Sequence, residues 1–254
     1  MSFIRSFAKS CVVLFLGSES RPRTILRGLA SGYRICISPA EQLGYLLGTD
    51  EPPLQKAIRN HVAAGDTVYD IGANVGYVSL SLAKRVGPTG RVIAFEPVPR
   101  NAEAFLRNIE TNKLTNVRLL KLAASDKPGE AVIRMAANPS TASLVWHRND
   151  PSATEFRIRT ASIDDLVDAG EFGLPQFVKI DVEGAEGFVL QGMRRTIAAA
   201  KPVLFVECSE AGREPAWRLL QELNYRCQSA ITGEPVNAFE LYRHSDFLWL
   251  PTNP

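Results

Sequence analysis

Four acidic residues, Asp70, Glu96, Asp181 and Glu207, stand at the ends of short apolar runs, where a strand presents its last side chains beyond the sheet. The first run continues at once into Gly72-Ala73-Asn74-Val75-Gly76-Tyr77. Glycines at such a turn permit unusual dihedrals and let the backbone come close to a bound group. The Gly-x-x-x-Gly spacing is neither the GxGxxG of dinucleotide-binding turns nor a phosphate loop, because no Gly-Lys-Ser/Thr follows. An acid beside backbone donors suits a zwitterionic, cationic ligand better than a pyrophosphate; a glycine-rich turn with no ligand is the plainer alternative. Glu96 ends Val92-Ile93-Ala94-Phe95-Glu96. It lies near the separation of about 20 residues at which an acid on the next strand grips a ribose diol.

The third run reads Val178-Lys179-Ile180-Asp181-Val182-Glu183-Gly184-Ala185-Glu186. Carboxylates this close raise one another's pKa and can serve as base or as metal ligands. Glu183 and Glu186 also have a simpler reading, as acids in the first turn of the next helix, where the dipole favours them. Leu204-Phe205-Val206-Glu207 places a further acid on the neighbouring strand, so Asp181 and Glu207 are expected to face one crevice.

To gather these side chains at one edge, the chain must alternate strands and helices. Strands are expected at Thr67–Ile71, 91–96, 117–123, Phe177–Asp181 and 202–207, with helices at 54–62, 77–85, 100–112, 186–200 and 215–223. Continuous apolar strands separated by helices imply a parallel sheet covered on both faces. Two late strands, near 225–230 and 247–250, are expected to close one edge as a hairpin. Residues 130–160 break the rhythm. Two β-like runs, 131–135 and 156–159, flank a polar loop, and loops that long in a compact domain are usually functional. Residues 138–150 are therefore expected to shape the substrate side, with His147, between Trp146 and Arg148, as a further candidate base. His61 and His244 read as structural.

Composition bounds the rest. A chain of 254 residues with 45% hydrophobic and 22% charged residues can bury one full-sized α/β core and is not broadly disordered. A net charge of +2 gives no reason to expect a nucleic-acid partner. Residues 1–50 lack a clear period and end at Glu51-Pro52-Pro53, so the chain divides into a lead-in of uncertain structure (1–50) and one domain (51–254). The lead-in is basic: Arg5, Lys9, Arg21, Arg23, Arg27 and Arg34 outnumber Glu19 in residues 1–34. Its apolar side chains Phe3, Ile4, Phe7 and 12–16 allow a peripheral membrane contact, although a helix docked on its own domain or on a second subunit is the preferred reading. The oligomeric state is left open. Cys11, Cys36, Cys208 and Cys227 show no metal-binding spacing, which points to a reducing compartment, and no apolar run is long enough to span a bilayer. The expectation is a soluble, cytoplasmic protein.

The run 66–76, Phe95-Glu96-Pro97, Asn108, Asn112 and Asn116-Val117, Ala123-Ala124-Ser125-Asp126, Ile163-Asp164-Asp165-Leu166 and Lys179-Ile180-Asp181-Val182-Glu183-Gly184 together resemble the FkbM family of methyltransferases, over residues 51–210. The resemblance implies a Rossmann-like, mostly parallel seven-stranded sheet with an antiparallel last strand. It also implies S-adenosylmethionine as methyl donor and the hydroxyl of a sugar, glycolipid or natural product as acceptor. On the same footing, Asp70, Gly72, Ala73, Asn74 and Gly76 would cradle the methionine end, Glu96 the ribose, and Ala124 would lie along the adenine. An alkyl hydroxyl needs a general base or a metal ion near neutral pH. Asp181 is the first candidate base, followed by Glu183 and His147, and a magnesium ion between Asp181 and Glu207 is the alternative. Two rival readings are a nicotinamide-dependent oxidoreductase and a non-catalytic cofactor- or glycan-binding domain. The first is disfavoured by the turn and by the absence of any Tyr-x-x-x-Lys pair.

Overall fold

A computed structural model describes residues 19–38, 42–135, 154–208, 210–238 and 245–252. Its centre is a seven-stranded sheet in the order β11-β12-β10-β9-β3-β4-β5. The strands are β3 (Thr67–Ile71), β4 (Arg91–Phe95), β5 (Val117–Leu120), β9 (Phe177–Asp181), β10 (Val203–Glu207), β11 (Tyr225–Ser229) and β12 (Asp246–Pro251). All adjacent pairs from β10 to β5 are parallel, whereas β12 runs antiparallel to both β10 and β11. The late hairpin therefore forms as expected, but its second strand is inserted into the sheet and its first strand is the edge.

Alternating residues of the strands feed two cores. Val68, Ala94, Phe177 and Phe205 pack on one face with α2 (Pro52–His61) and α3 (Tyr77–Val86); α4 (Pro99–Thr111) adds Phe105 and Ile109. Tyr69, Ile71, Ile93, Phe95, Val178 and Ile180 pack on the other, against α6 (Glu186–Gly192), α7 (Arg194–Ala200) and α8 (Glu210–Glu222). Each fully buried large side chain contributes roughly 1.5–3 kcal/mol. Pro52 and Pro99 occupy first helical positions, where the missing N–H costs nothing.

Two helices differ from their sequence reading for steric reasons. The expected helix 186–200 is split at Met193. Gly192 lies so close to the Ser125 carbonyl that a Cβ would sit 1.8 Å from its oxygen, and Ser162 Oγ donates to the Gly192 carbonyl at 3.0 Å. The last helix begins before Pro215, at Glu210, and Gly187 leaves the space that the proline ring occupies.

The expected strand 117–123 also divides. Its first part is β5 of the main sheet, while Ala123–Ala124 becomes β6 of a second, three-stranded sheet, order β6-β8-β7. Here β7 (Gly129–Met135) and β8 (Thr154–Ala161) pair antiparallel, and Ile133 and Ile158 pack with Val98. The loop 138–150 and His147 lie outside the described residues, as does His244.

The lead-in takes shape as an antiparallel pair, β1 (Arg21–Thr24) and β2 (Arg34–Ile37), followed by α1 (Leu43–Leu47). Ile25, Ile35, Ile37 and Leu46 join the same core as Leu54 and Val68. Asn108 of α4 and Asn112, the residue that caps its C-terminal end, hold the pair in place. Asn108 Oδ1 accepts from the Cys36 amide at 2.6 Å, and Asn112 Oδ1 accepts from the Arg34 amide at 2.7 Å. Cys36, Cys208 and Cys227 are free thiols. Among the described residues, no helix is long and apolar enough to cross a membrane.

Candidate active site

The strand order reverses beside β3: the chain moves from β3 outward to β4 and β5, and later returns to β9 on the other side. Ligands of open α/β sheets sit at the carboxyl ends of the strands at such a point. A cavity of about 290 Å³ opens there, lined by the turn after β3, the ends of β4 and β9, the small sheet and the segment before α2.

Gly72 has φ +81°, and a Cβ would lie 1.8 Å from the Asp181 carbonyl oxygen. Only glycine lets β3 turn this close to β9. Gly76, at φ +92°, leaves the room that the Phe105 ring fills. Between them Asn74 is left-handed (φ +50°), and its amide donates to Glu96 Oε2 at 2.8 Å. Glu96 Oε1 accepts from the Val98 amide at 2.8 Å, so both carboxylate oxygens are anchored while the group lines the cavity. Burial outweighs these hydrogen bonds and raises the Glu96 pKa. Beside Glu96, the apolar side chains of Pro97, Val98, Ala124, Ile133 and Ile158 form one wall.

Lys179 organises the opposite end. It is 2% exposed; its Nζ donates to the Gly72 carbonyl at 2.8 Å and lies 3.3 Å from Asp181 Oδ2 and 3.5 Å from Asp70 Oδ1. Burial disfavours its charge, but Asp181, Asp70 and Glu51 more than offset that and hold its pKa above the ordinary lysine value. Asp70 is fully buried, and Ser79 Oγ donates to its Oδ2 at 2.6 Å. Among the described residues, the charged ones lining the cavity are Glu51, Glu96, Asp126, Asp181 and Glu183, against Lys179 alone. Burial first, and then Asp181, raise the Glu183 pKa.

The segment 70–227 matches the family described as the methyltransferase FkbM domain. The chain belongs to this family. Hexuronic acid methyltransferase AglP of Haloferax volcanii is 28% identical over 139 residues, 55% of this chain and 54% of that protein. The chain thus spans about half the length of that relative. Among solved structures, the methyltransferase FkbM from Methylobacillus flagellatus KT aligns with a TM-score of 0.49 at 20% identity, covering 83% of this chain and 53% of that one. A SAM-dependent O-methyltransferase from Thermotoga maritima aligns with a TM-score of 0.47 at 14% identity, covering 81% and 66%.

Of the residues that the FkbM resemblance assigns to the cofactor, Gly72, Ala73, Asn74, Glu96 and Ala124 line the cavity. Asp70 and Gly76 are not among its lining residues; Asp70 is held behind the wall by Ser79 and Lys179, and Gly76 adjoins Phe105. Of the candidate bases, Asp181 and Glu183 line it together. Glu186 turns away: it is fully buried, and its Oε1 accepts from the Gly184 amide at 2.9 Å at the start of α6. Glu207 pairs in register with Asp181 on the adjacent strand, yet it is not a lining residue, and it accepts from Ser245 Oγ at 3.4 Å. Burial and then Asp181 push its pKa up to about 8.

The suggested magnesium site between Asp181 and Glu207 is not assembled. Among the described residues no three His, Cys, Asp or Glu side chains come together as a metal site, and Lys179 already supplies the positive charge beside Asp181.

Sequence reasoning passed over Tyr45, Glu51, Lys179 and Phe188, all of which line the cavity. Lys179 had a visible signal, a cation inside an apolar strand. Glu51 read only as the residue before a proline break.

Proposed function

We propose that this chain is an S-adenosylmethionine-dependent methyltransferase that methylates a hydroxyl of a sugar or another small molecule. The observation that carries the reading is the charge layout of the cavity: a buried, doubly anchored carboxylate beside an apolar wall at one end, and an excess of carboxylates at the other. Those groups fit the cofactor's parts in turn. Glu96 can accept from a ribose diol, the wall by Ala124, Ile133 and Ile158 can take a flat heterocycle, and the acidic end suits a cationic head. When bound, S-adenosylmethionine supplies a methyl group on a sulfonium, activated for in-line displacement.

The chain's own residues align and deprotonate. The turn at Gly72–Asn74 brings backbone close to the ligand, Glu96 fixes its orientation, and a carboxylate of the acidic end accepts the acceptor's hydroxyl proton. Holding two reactants in line in a closed site supplies much of the rate in such a displacement. Phe188, 53% exposed at the cavity edge, offers an apolar face for the acceptor ring. The name of the Haloferax relative supports a sugar acceptor. The surplus of acids favours a neutral hydroxyl over a uronate, since like charges at a site oppose binding.

Calorimetric titration with S-adenosylmethionine, S-adenosylhomocysteine and NADH tests the cofactor, and a methyl-transfer screen over neutral sugars, uronates, glycolipids and polyketides tests the acceptor. Binding of NADH alone would replace this reading with an oxidoreductase, and cofactor binding without turnover on any acceptor would favour a binding domain.

A further inference from the structure

The segment before the sheet supplies the acidic end with a residue that lies ahead of the matched segment 70–227. Glu51 precedes Pro52-Pro53 at the N-terminal cap of α2 and has φ +50°. Six described non-glycine residues adopt positive φ, and three of them, Glu51, Asn74 and Glu183, line this one cavity. Such backbone costs of order 1–3 kcal/mol at each position and persists where the surroundings enforce it. The surroundings of Glu51 do. The Gln55 amide donates to the Glu51 carbonyl at 2.9 Å, and Gln55 Nε2 donates to the Asp50 carbonyl at 2.8 Å. Gly48, where a Cβ would lie 1.8 Å from the Arg27 carbonyl oxygen, locks the preceding turn against the segment that follows β1.

Of the other lining carboxylates, Asp126 accepts from Ser125 Oγ at 3.1 Å and Glu183 is exposed to solvent, and the remaining carboxylates of the site are held by donors. Asp70 is held by Ser79 and Lys179, Asp181 by Lys179, Glu96 by the Asn74 and Val98 amides and Glu186 by the Gly184 amide. We propose that Glu51 is the base that takes the proton of the acceptor hydroxyl, with Asp181 positioning that hydroxyl from across the cavity. This assignment rests on the methyltransferase reading above. In the step, the acceptor oxygen forms a bond to the methyl carbon as the carbon–sulfur bond breaks. The bonding pair stays on sulfur, leaving a neutral thioether, and the hydroxyl proton passes to the Glu51 carboxylate. The charged and titratable groups around Glu51 are Tyr45 from α1, Asp50 beside it, Asp70 and Lys179–Asp181 from β3 and β9, Tyr77 from α3 and Glu207 from β10. Burial, which Lys179 opposes and Asp181, Asp70 and Asp50 reinforce, pushes its pKa up to about 7. A base works best with a pKa near the operating pH.

The test compares binding of S-adenosylmethionine and of the uncharged thioether S-adenosylhomocysteine to the native protein and to Glu51→Gln. Calorimetry at pH 7 in buffers of different ionisation enthalpy counts the protons released. A carboxylate facing the sulfonium loses its proton when the cation arrives. Native protein should therefore release up to about half a proton more than Glu51→Gln with S-adenosylmethionine, and no more than the variant with the thioether. Thioether affinity should be equal in the two proteins. Equal proton release in both proteins overturns the assignment. An excess with both ligands also overturns it, because Glu51 then contacts the amino acid end that the two share. A native protein that binds neither compound overturns the cofactor reading and this one with it. Methyl glucoside and methyl glucuronide serve as probe acceptors for turnover. With either as substrate, Glu51→Gln should lower kcat roughly 10²–10⁴-fold and remove the rise through pH 7. An unchanged kcat overturns the assignment; the proton count needs no acceptor and decides in every case.

Discussion

Lys179 reaches from β9 to the carbonyl of Gly72 in the turn after β3, 2.8 Å away, and ties that turn to the acid cluster with one buried ammonium. The same group sits between Asp70 and Asp181, so the turn, the buried acid behind it and the partly buried acid in front share one cation.

Lys179→Met should destabilise the fold by about 3–5 kcal/mol, because Asp70 is left as an uncompensated buried carboxylate. Denaturant unfolding measures this. Lys179→Met,Asp70→Leu should recover part of the loss, and a double variant no more stable than the single would mean that the pair is not coupled.

Gly72→Ala places a methyl group against the Asp181 carbonyl at a backbone angle that alanine avoids. The expected loss is at least about 4 kcal/mol, at the severe end for one substitution. A soluble variant with an unchanged unfolding midpoint would show that β3 and β9 separate more readily than their packing implies.

Glu96→Ala removes the anchored carboxylate and should weaken binding of S-adenosylhomocysteine at least tenfold, since a hydrogen bond to a charged acceptor contributes about 1.5–3 kcal/mol. It also releases the Asn74 and Val98 amides, so some stability should be lost as well. Calorimetry together with thermal unfolding separates the two effects; intact affinity in a folded variant would remove the ribose role.

Glu51 and Glu207 bind protons more tightly when folded than an ordinary glutamate of pKa 4.5, because burial pushes them up to about 7 and about 8 respectively. Between those limits the folded state holds more protons than the unfolded one, so their contribution to stability falls as pH rises from about 4.5 to about 8. Glu51→Gln,Glu207→Gln should flatten that decline and raise the urea midpoint at pH 8 relative to the native protein. Equal pH slopes in the two proteins would contradict the shifts.

Residue types and spacing determined which turn would line the cavity and which strands would surround it. Asp70 to Gly76, Glu96 and Asp181 sit at strand ends because apolar runs of that length leave few other places for them, and β3 and β9 match their expected bounds. Local patterning also carried the helices that begin at proline and the antiparallel late pair. What each acid does was decided only by tertiary structure. Whether a carboxylate acts on a ligand depends on which donors already occupy it: Lys179 on Asp70 and the Asn74 amide on Glu96 come from other elements, while the Val98 amide on Glu96 and the Gly184 amide on Glu186 are local but reach their partners only through the folded turn. The same holds for the lead-in. Its short strands lack a readable period because their buried side chains pack into the core of the main domain and α4 fixes their backbone, and only in that packing do Tyr45 and Glu51 arrive at the cavity.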